Sequence, residues 1–110
     1  MLVTIKSING AVLIELEGSL DGKTAPEVQG QVLPNAEGHE KVILDLTKVN
    51  YVSSAGLRML LLLYRQLKAK GGRIALVGMS EEIKDVMTNT GLINFFLTAD
   101  SLAGGIAALG

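Results

Sequence analysis

The sequence predicts an α/β domain with a mixed β-sheet that is covered by about four helices. Two alternating segments, Leu2 to Ile8 and Ala11 to Glu17, flank Asn9-Gly10 and predict an N-terminal hairpin. Helical patterns then alternate with short apolar strands, which is typical of a sheet that is partly parallel. At 110 residues, 48% of them hydrophobic, the chain is expected to form a single domain over residues 1–110.

The first helix is expected to follow the hairpin. Thr24 can act as an N-cap, Pro26 suits the first turn, and Glu27 completes a capping box. The helix is predicted to run to about Leu33 and to be ended by Pro34 and Gly38.

The middle of the chain predicts a buried strand followed by the clearest helix. Lys41 to Leu46 is apolar and bounded by polar residues, as in a strand covered on both faces, and residues 47–50 are predicted to be a linker. The helix should extend from about Ser54 to Ala69, where Gly71-Gly72 stops it. Its predicted apolar face consists of Leu57, Leu60, Leu61, Tyr64 and Leu67.

The last third of the chain continues the alternation. Arg73 to Val77 predicts another buried strand, and Ser80 is expected to cap a third helix that ends at Gly91. Ile93 to Leu97 is predicted to be a short final strand, and Ser101 to Leu109 a glycine-broken terminal helix.

Composition and charge exclude several classes of function. The net charge is −1 with no basic run, so the footprint of a nucleic-acid-binding protein is missing. There are no cysteines, and His39 is the only histidine, so neither a metal site nor a cofactor is predicted. The apolar run from Met59 to Leu63 is too short to span a bilayer, and the N-terminus lacks the plan of a signal peptide. We therefore expect a soluble cytoplasmic domain.

Catalysis is not expected either. Glu81 and Glu82 are adjacent acids in a first helical turn, where acids normally complement the helix dipole rather than work as a pair. His39 lies in a polar loop, and no serine has a set of His and Asp partners.

The segment Gly22-Lys23-Thr24, between a strand and a helix, is reminiscent of a phosphate-binding P-loop. The motif needs a glycine five residues before Gly22, but Glu17 stands there. An ATPase is therefore rejected, although a loose nucleotide contact through Lys23 stays open as a third interpretation.

The start of the second helix is the most informative part of the chain. Ser53 and Ser54 precede Ala55-Gly56, and the first turn of the helix has no acidic residue. Backbone N–H groups at a helix start suit an anion, so a phosphate carried by a serine would fit there. One of the two serines is equally expected as a simple N-cap. Arg58 could reach a phosphate on Ser54 or be a solvated residue, and both interpretations stay open.

With these segments in order, nearly the whole chain resembles the STAS domain family, specifically the free-standing bacterial anti-sigma factor antagonists. The family's pattern at the central turn is Asp-Ser-(Ser, Thr or Ala)-Gly-Leu, and its first serine, the phosphorylated one, corresponds to Ser54. The resemblance is carried by Gly18-Ser19-Leu20-Asp21, Val42-Ile43-Leu44-Asp45-Leu46, Tyr51-Val52-Ser53-Ser54-Ala55-Gly56-Leu57, Gly71-Gly72-Arg73-Ile74-Ala75-Leu76-Val77 and Thr90-Gly91-Leu92.

The resemblance implies partner switching, with the chain as substrate and binding partner rather than enzyme. In such families the unphosphorylated antagonist binds a serine-kinase anti-sigma factor, phosphorylation releases it, and a phosphoserine phosphatase resets it. Ser54 is the implied phosphorylation site, and Ser53 is the second choice. The residues expected to border the docking surface are Asp21, Lys23, Thr24, Ser53, Ala55, Gly56 and Arg58.

Two positions depart from the family pattern. Ser53 stands where an acid usually precedes the phosphorylated serine, and Arg58 stands where the best-known antagonists have a small residue. The alternative is an interaction subunit of a signalling or transport complex that has the same fold and is never phosphorylated.

Overall fold

The computed structural model describes all residues from 1 to 110 and contains one five-stranded sheet in the order β1-β2-β3-β4-β5. β1 pairs with β2 in antiparallel fashion, and the remaining neighbours are parallel, which confirms the predicted mixed sheet. The predicted hairpin turn is also present, since Asn9 and Gly10 both have positive φ. The strands are β1 (Leu2–Ile8), β2 (Ala11–Leu20), β3 (Lys41–Val52), β4 (Arg73–Val77) and β5 (Leu97–Ala99).

Four α-helices cover this sheet, and α2 has the predicted bounds. Ser80 caps α3 as expected, because its hydroxyl accepts the backbone N–H of Ile83 at 3.2 Å. A short 3₁₀ helix (Leu92–Phe95) stands between α3 and β5. The α-helices are α1 (Ala25–Ala36), α2 (Ser54–Ala69), α3 (Glu81–Asn89) and α4 (Leu102–Leu109).

The predicted final strand at Ile93 to Leu97 is largely wrong. Most of this segment is the 3₁₀ helix, and the paired strand begins only at Leu97. The aromatic rings decide the local structure, because Phe95 and Phe96 pack against Tyr64 of α2 with ring centroids 5.2 and 5.6 Å apart.

Besides β2, which continues past the predicted Glu17 to Leu20, two elements are longer than predicted. α1 continues past Pro34 to Ala36, because Pro34 lies on the exposed side of the helix while Val32 and Ala36 stay buried. β3 continues through the predicted linker to Val52. Two register shifts against β2 add extra residues to β3, so the strand stays paired instead of ending at Leu46.

The main core lies between one face of the sheet and α1, α2 and α3, and a smaller cluster lies on the other face beneath α4. The predicted apolar face of α2 is only partly correct, since Leu57, Leu61 and Tyr64 are half-buried. The residues of α2 that are fully buried are Gly56, Met59, Leu60, Leu63 and Leu67.

Candidate functional site

The candidate site lies at the edge of the sheet where the parallel strands β2 and β3 both end. Leu20 and Val52, the last residues of these strands, are register partners. The backbone N–H of Ser53 donates to the carbonyl of Leu20 at 2.9 Å. The loop of residues 21–24 after β2 and the first turn of α2 are therefore held side by side.

Gly56 lets α2 approach this edge. A Cβ atom on Gly56 would lie 2.7 Å from the carbonyl oxygen of Leu20 and 2.9 Å from its Cγ. Gly56 itself is buried and packs against Leu20 at the end of β2. The Ala-Gly pair thus fixes the position of the helix start.

The two serines have different roles. Ser53 is the N-cap of α2, and its hydroxyl accepts the backbone N–H of Gly56 at 3.4 Å. Ser54 is the first residue of the helix, is exposed, and its hydroxyl forms no hydrogen bond within the chain. The capping requirement is met by Ser53, so the hydroxyl of Ser54 is accessible for chemistry.

The loop before α1 is organised by Asp21, and the predicted capping box is wrong. Asp21 Oδ1 accepts the backbone N–H groups of Lys23 and Thr24 at 2.9 and 3.1 Å. Thr24 makes no capping bond, and its hydroxyl donates to the carbonyl of Ser19 at 2.7 Å. The N–H donors of Thr24 and Lys23 hold the pKa of the Asp21 carboxyl below its ordinary value.

This hydrogen bonding bears on the nucleotide hypothesis. A P-loop binds phosphate through free backbone N–H groups, but those of Lys23 and Thr24 are already bound to the Asp21 carboxylate. Two of the donors that a phosphate-binding loop would need here are therefore already engaged.

Two exposed cations lie on the elements that meet at this edge of the sheet. Lys23, in the neighbouring loop, and Arg58, one turn along α2, are both exposed, and neither belongs to an ion pair. Ala55 is half-buried against the core. Asp21 is also half-buried, and its carboxylate accepts the two backbone N–H groups of its own loop. The loop before α1 and the first turns of α2 thus each contribute one exposed cation that has no acidic partner.

Sequence reasoning missed a neighbouring patch on β2 and β3. Tyr51 is 56% exposed, and it is the register partner of Ser19 near the ends of the two strands. The Ser19 hydroxyl donates to Asn50 Oδ1 at 2.8 Å. An exposed aromatic side chain is typical of a protein contact surface. It was missed because residues 47–50 were predicted to be a linker rather than part of β3.

The remaining candidates are solvated. His39, Glu81 and Glu82 are exposed, and no three side chains of the metal-ligating types lie together. Of the helices, none is both long and apolar enough to cross a membrane.

Curated relatives resemble the chain over nearly its full length. It is 29% identical over 109 residues to BtrV of Bordetella bronchiseptica, provisionally named an anti-sigma factor antagonist, covering 98% of this chain and 94% of that protein. It is 25% identical over 104 residues to the anti-sigma-B factor antagonist of Bacillus subtilis, covering 94% of this chain and 95% of the relative.

Solved structures share the fold. An anti-sigma factor antagonist from Mycobacterium paratuberculosis superposes with a TM-score of 0.86 at 23% identity, covering 98% and 92% of the two chains. The phosphorylated form of Bacillus SpoIIAA superposes with a TM-score of 0.72 at 20% identity, covering 99% of this chain and 100% of SpoIIAA. The murine anion transporter Slc26a9 superposes with a TM-score of 0.81 at 16% identity, covering 93% of this chain and 18% of the transporter.

The family model for the STAS domain matches residues 3–104, from the second residue of β1 to the first turn of α4. The site residues all lie inside this match. The chain belongs to the STAS domain family.

Proposed function

We propose that this protein is an anti-sigma factor antagonist of a partner-switching pathway in the cytoplasm. The unphosphorylated chain binds a serine-kinase anti-sigma factor. The kinase transfers the γ-phosphoryl group of ATP to Ser54 Oγ, and the complex dissociates. A phosphoserine phosphatase then restores the binding form, so the chain is a substrate and a partner and has no catalytic role.

The observation that supports this proposal best is the accessible hydroxyl of Ser54. Ser53 already caps α2, so Ser54 is exposed at a helix start with no acidic residue in its first turn. It also occupies the place of the phosphorylated serine in the family motif. SpoIIAA, which shares the fold, has been solved in a phosphorylated form.

The energy available from one phosphate is sufficient for release. Phosphorylation adds about −1.5 to −2 charges at neutral pH. A like charge on the partner about 5 Å away costs about 3 kcal/mol at an effective dielectric constant near 20. A hundredfold loss of affinity requires only about 2.7 kcal/mol, so release needs no change of fold.

A pull-down with matched baits tests the proposal. The wild-type chain, Ser54→Ala and Ser54→Glu are immobilised and exposed to extract of the native host, and retained proteins are identified by mass spectrometry. We expect Ser54→Ala to retain a serine kinase of the anti-sigma type and Ser54→Glu to lose it. The recovered kinase should phosphorylate the wild-type chain and Ser53→Ala, but not Ser54→Ala.

Equal retention of that kinase by Ser54→Ala and Ser54→Glu would contradict a charge-driven release. Phosphate transfer to Ser54→Ala at the wild-type rate would contradict the assignment of the acceptor.

A second candidate function is an interaction module that is never phosphorylated. The likeness to the transporter Slc26a9 favours it. There, a segment that superposes on 93% of this chain makes up only 18% of a much larger protein. This candidate predicts that the same partners are retained by all three baits and that no phosphate is transferred.

A further inference from the structure

All the charged side chains of α2 are positive. The helix from Ser54 to Ala69 contains Arg58, Arg65 and Lys68 and not a single Asp or Glu. Arg58 therefore has no acidic side chain three or four residues away, which is where a helical arginine ordinarily finds a partner. It is exposed and forms neither an ion pair nor a side-chain hydrogen bond.

Helix geometry directs this free guanidinium towards Ser54. Residues four apart lie on the same face, with Cβ atoms about 5–6 Å from each other. Helical side chains also lean towards the N-terminus, so the side chain at position 58 covers the turn that begins at Ser54. A long arginine at this position can reach an oxygen attached to Ser54 Oγ.

We propose that Arg58 binds the phosphate of phosphorylated Ser54 within the same chain. The guanidinium donates charge-assisted hydrogen bonds to the phosphate oxygens. Arg58 is then available to a binding partner only while Ser54 is unphosphorylated, so modification both adds negative charge and withdraws a cation from the surface. This inference rests on the proposed function for the presence of the phosphate, but not for its contact with Arg58.

The other charged groups at this edge of the sheet come from the loop beside α2. Lys23 is exposed and contributes a second positive charge, whereas the Asp21 carboxylate is engaged by the N–H groups of its own loop. Asp21 repels a phosphate, so Arg58 must act against it. For this reason the test changes Arg58 alone and leaves the loop intact.

Phosphoserine is installed at position 54 of the full chain by genetic code expansion, so that no kinase is needed. The second pKa of the phosphate is then measured by ³¹P NMR titration in the wild-type background, Arg58→Met and Arg58→Lys. Because a cation stabilises the dianion, we expect this pKa to be lower with Arg58 than with Met by about 0.15 to 0.4. Arg58→Lys should recover part of the difference, and raised salt should reduce it.

Arg65→Met is the matched control, because Arg65 is exposed on the same helix but lies about 16 Å along the helix axis from Ser54. It should leave the phosphate pKa unchanged. An Arg58→Met protein with the wild-type pKa would overturn the proposal, as would an equal change in Arg65→Met. Neither result depends on a kinase, so a failed pull-down with a shifted pKa would reject the proposed function and keep this contact.

Discussion

At the scale of single residues, two adjacent serines divide two roles at the start of α2. The Ser53 hydroxyl caps the helix, and its backbone N–H binds Leu20. Ser54 does neither and is exposed. The sequence predicted a capping serine and an accessible serine but could not say which was which, because that depends on where β3 ends.

The division of roles predicts unequal effects of two alanine substitutions. Ser53→Ala should lower the free energy of unfolding by about 1 kcal/mol, since a capping bond is lost. Ser54→Ala should change it by less than about 0.5 kcal/mol, because the side chain is exposed and unbonded. Urea denaturation of both variants measures this. A larger loss for Ser54→Ala than for Ser53→Ala would mean that Ser54 is the cap.

A second residue-scale prediction concerns the close approach at Gly56. Gly56→Ala should destabilise the fold by about 1–3 kcal/mol, because its Cβ would lie 2.7 Å from a backbone oxygen. Gly30→Ala is the matched control within α1, where nothing lies within 4 Å, and it should stabilise the protein by about 0.5–1 kcal/mol. Thermal denaturation of the two variants should give shifts of opposite sign; a tolerated Gly56→Ala would contradict the packing described.

At the scale of elements, the loop before α1 shows what sequence patterns can and cannot decide. The spacing of Thr24 and Glu27 fits a capping box, but Asp21 provides the bonds instead. Asp21 can do so because Thr24 is drawn back to the carbonyl of Ser19 at the end of β2. That competition involves tertiary contacts, so local spacing could not reveal it.

The same loop gives a prediction about pH. The folded pKa of Asp21 is below its ordinary value of 3.8, so its charge contributes stability above that pH. The contribution is lost as the pH falls through the lowered folded pKa. Asp21→Asn should therefore lose less stability than the wild-type chain on acidification below pH 3.8. Urea denaturation across this range measures it, and parallel curves for the two proteins would contradict the role of the charge.

Among the elements, those with clear start and stop residues were predicted better than those whose structure depends on tertiary packing. α2 was predicted with its observed bounds because a capping serine and a glycine pair mark its ends. The strand predicted at Ile93 to Leu97 failed because aromatic packing on Tyr64 outweighs the strand preference of these residues. The predicted face of α2 was partly correct, but it did not include Gly56, Met59 and Leu63, which are buried.

At the scale of the whole molecule, the two faces of the sheet are covered unequally. α4 alone packs on the second face, where Leu109 is 2% exposed beside Ile43 and Val77. The sequence predicted α4 as a weak helix because of its glycines. Gly105 instead allows close packing, since a Cβ there would lie 2.5 Å from a methyl group of Val77.

Leu109 is the large side chain that α4 buries against the second face, so we expect the attachment of α4 to depend on it. Leu109→Ala is expected to lower the free energy of unfolding by about 2–3 kcal/mol through the cavity it leaves. Leu2→Ala is the control, since Leu2 is 59% exposed, and it should change stability by less than about 0.5 kcal/mol. Equal effects in urea denaturation would show that α4 does not form a core with the sheet.

The central claim for the whole molecule is that Ser54 is a phosphorylation switch presented by a fixed framework. Intact-mass spectrometry of the chain purified from its native host, followed by peptide mapping, tests this claim most directly. We expect a phosphorylated fraction, with the phosphate on Ser54. Phosphate on Ser53 alone, or none under any of several growth conditions, would contradict it.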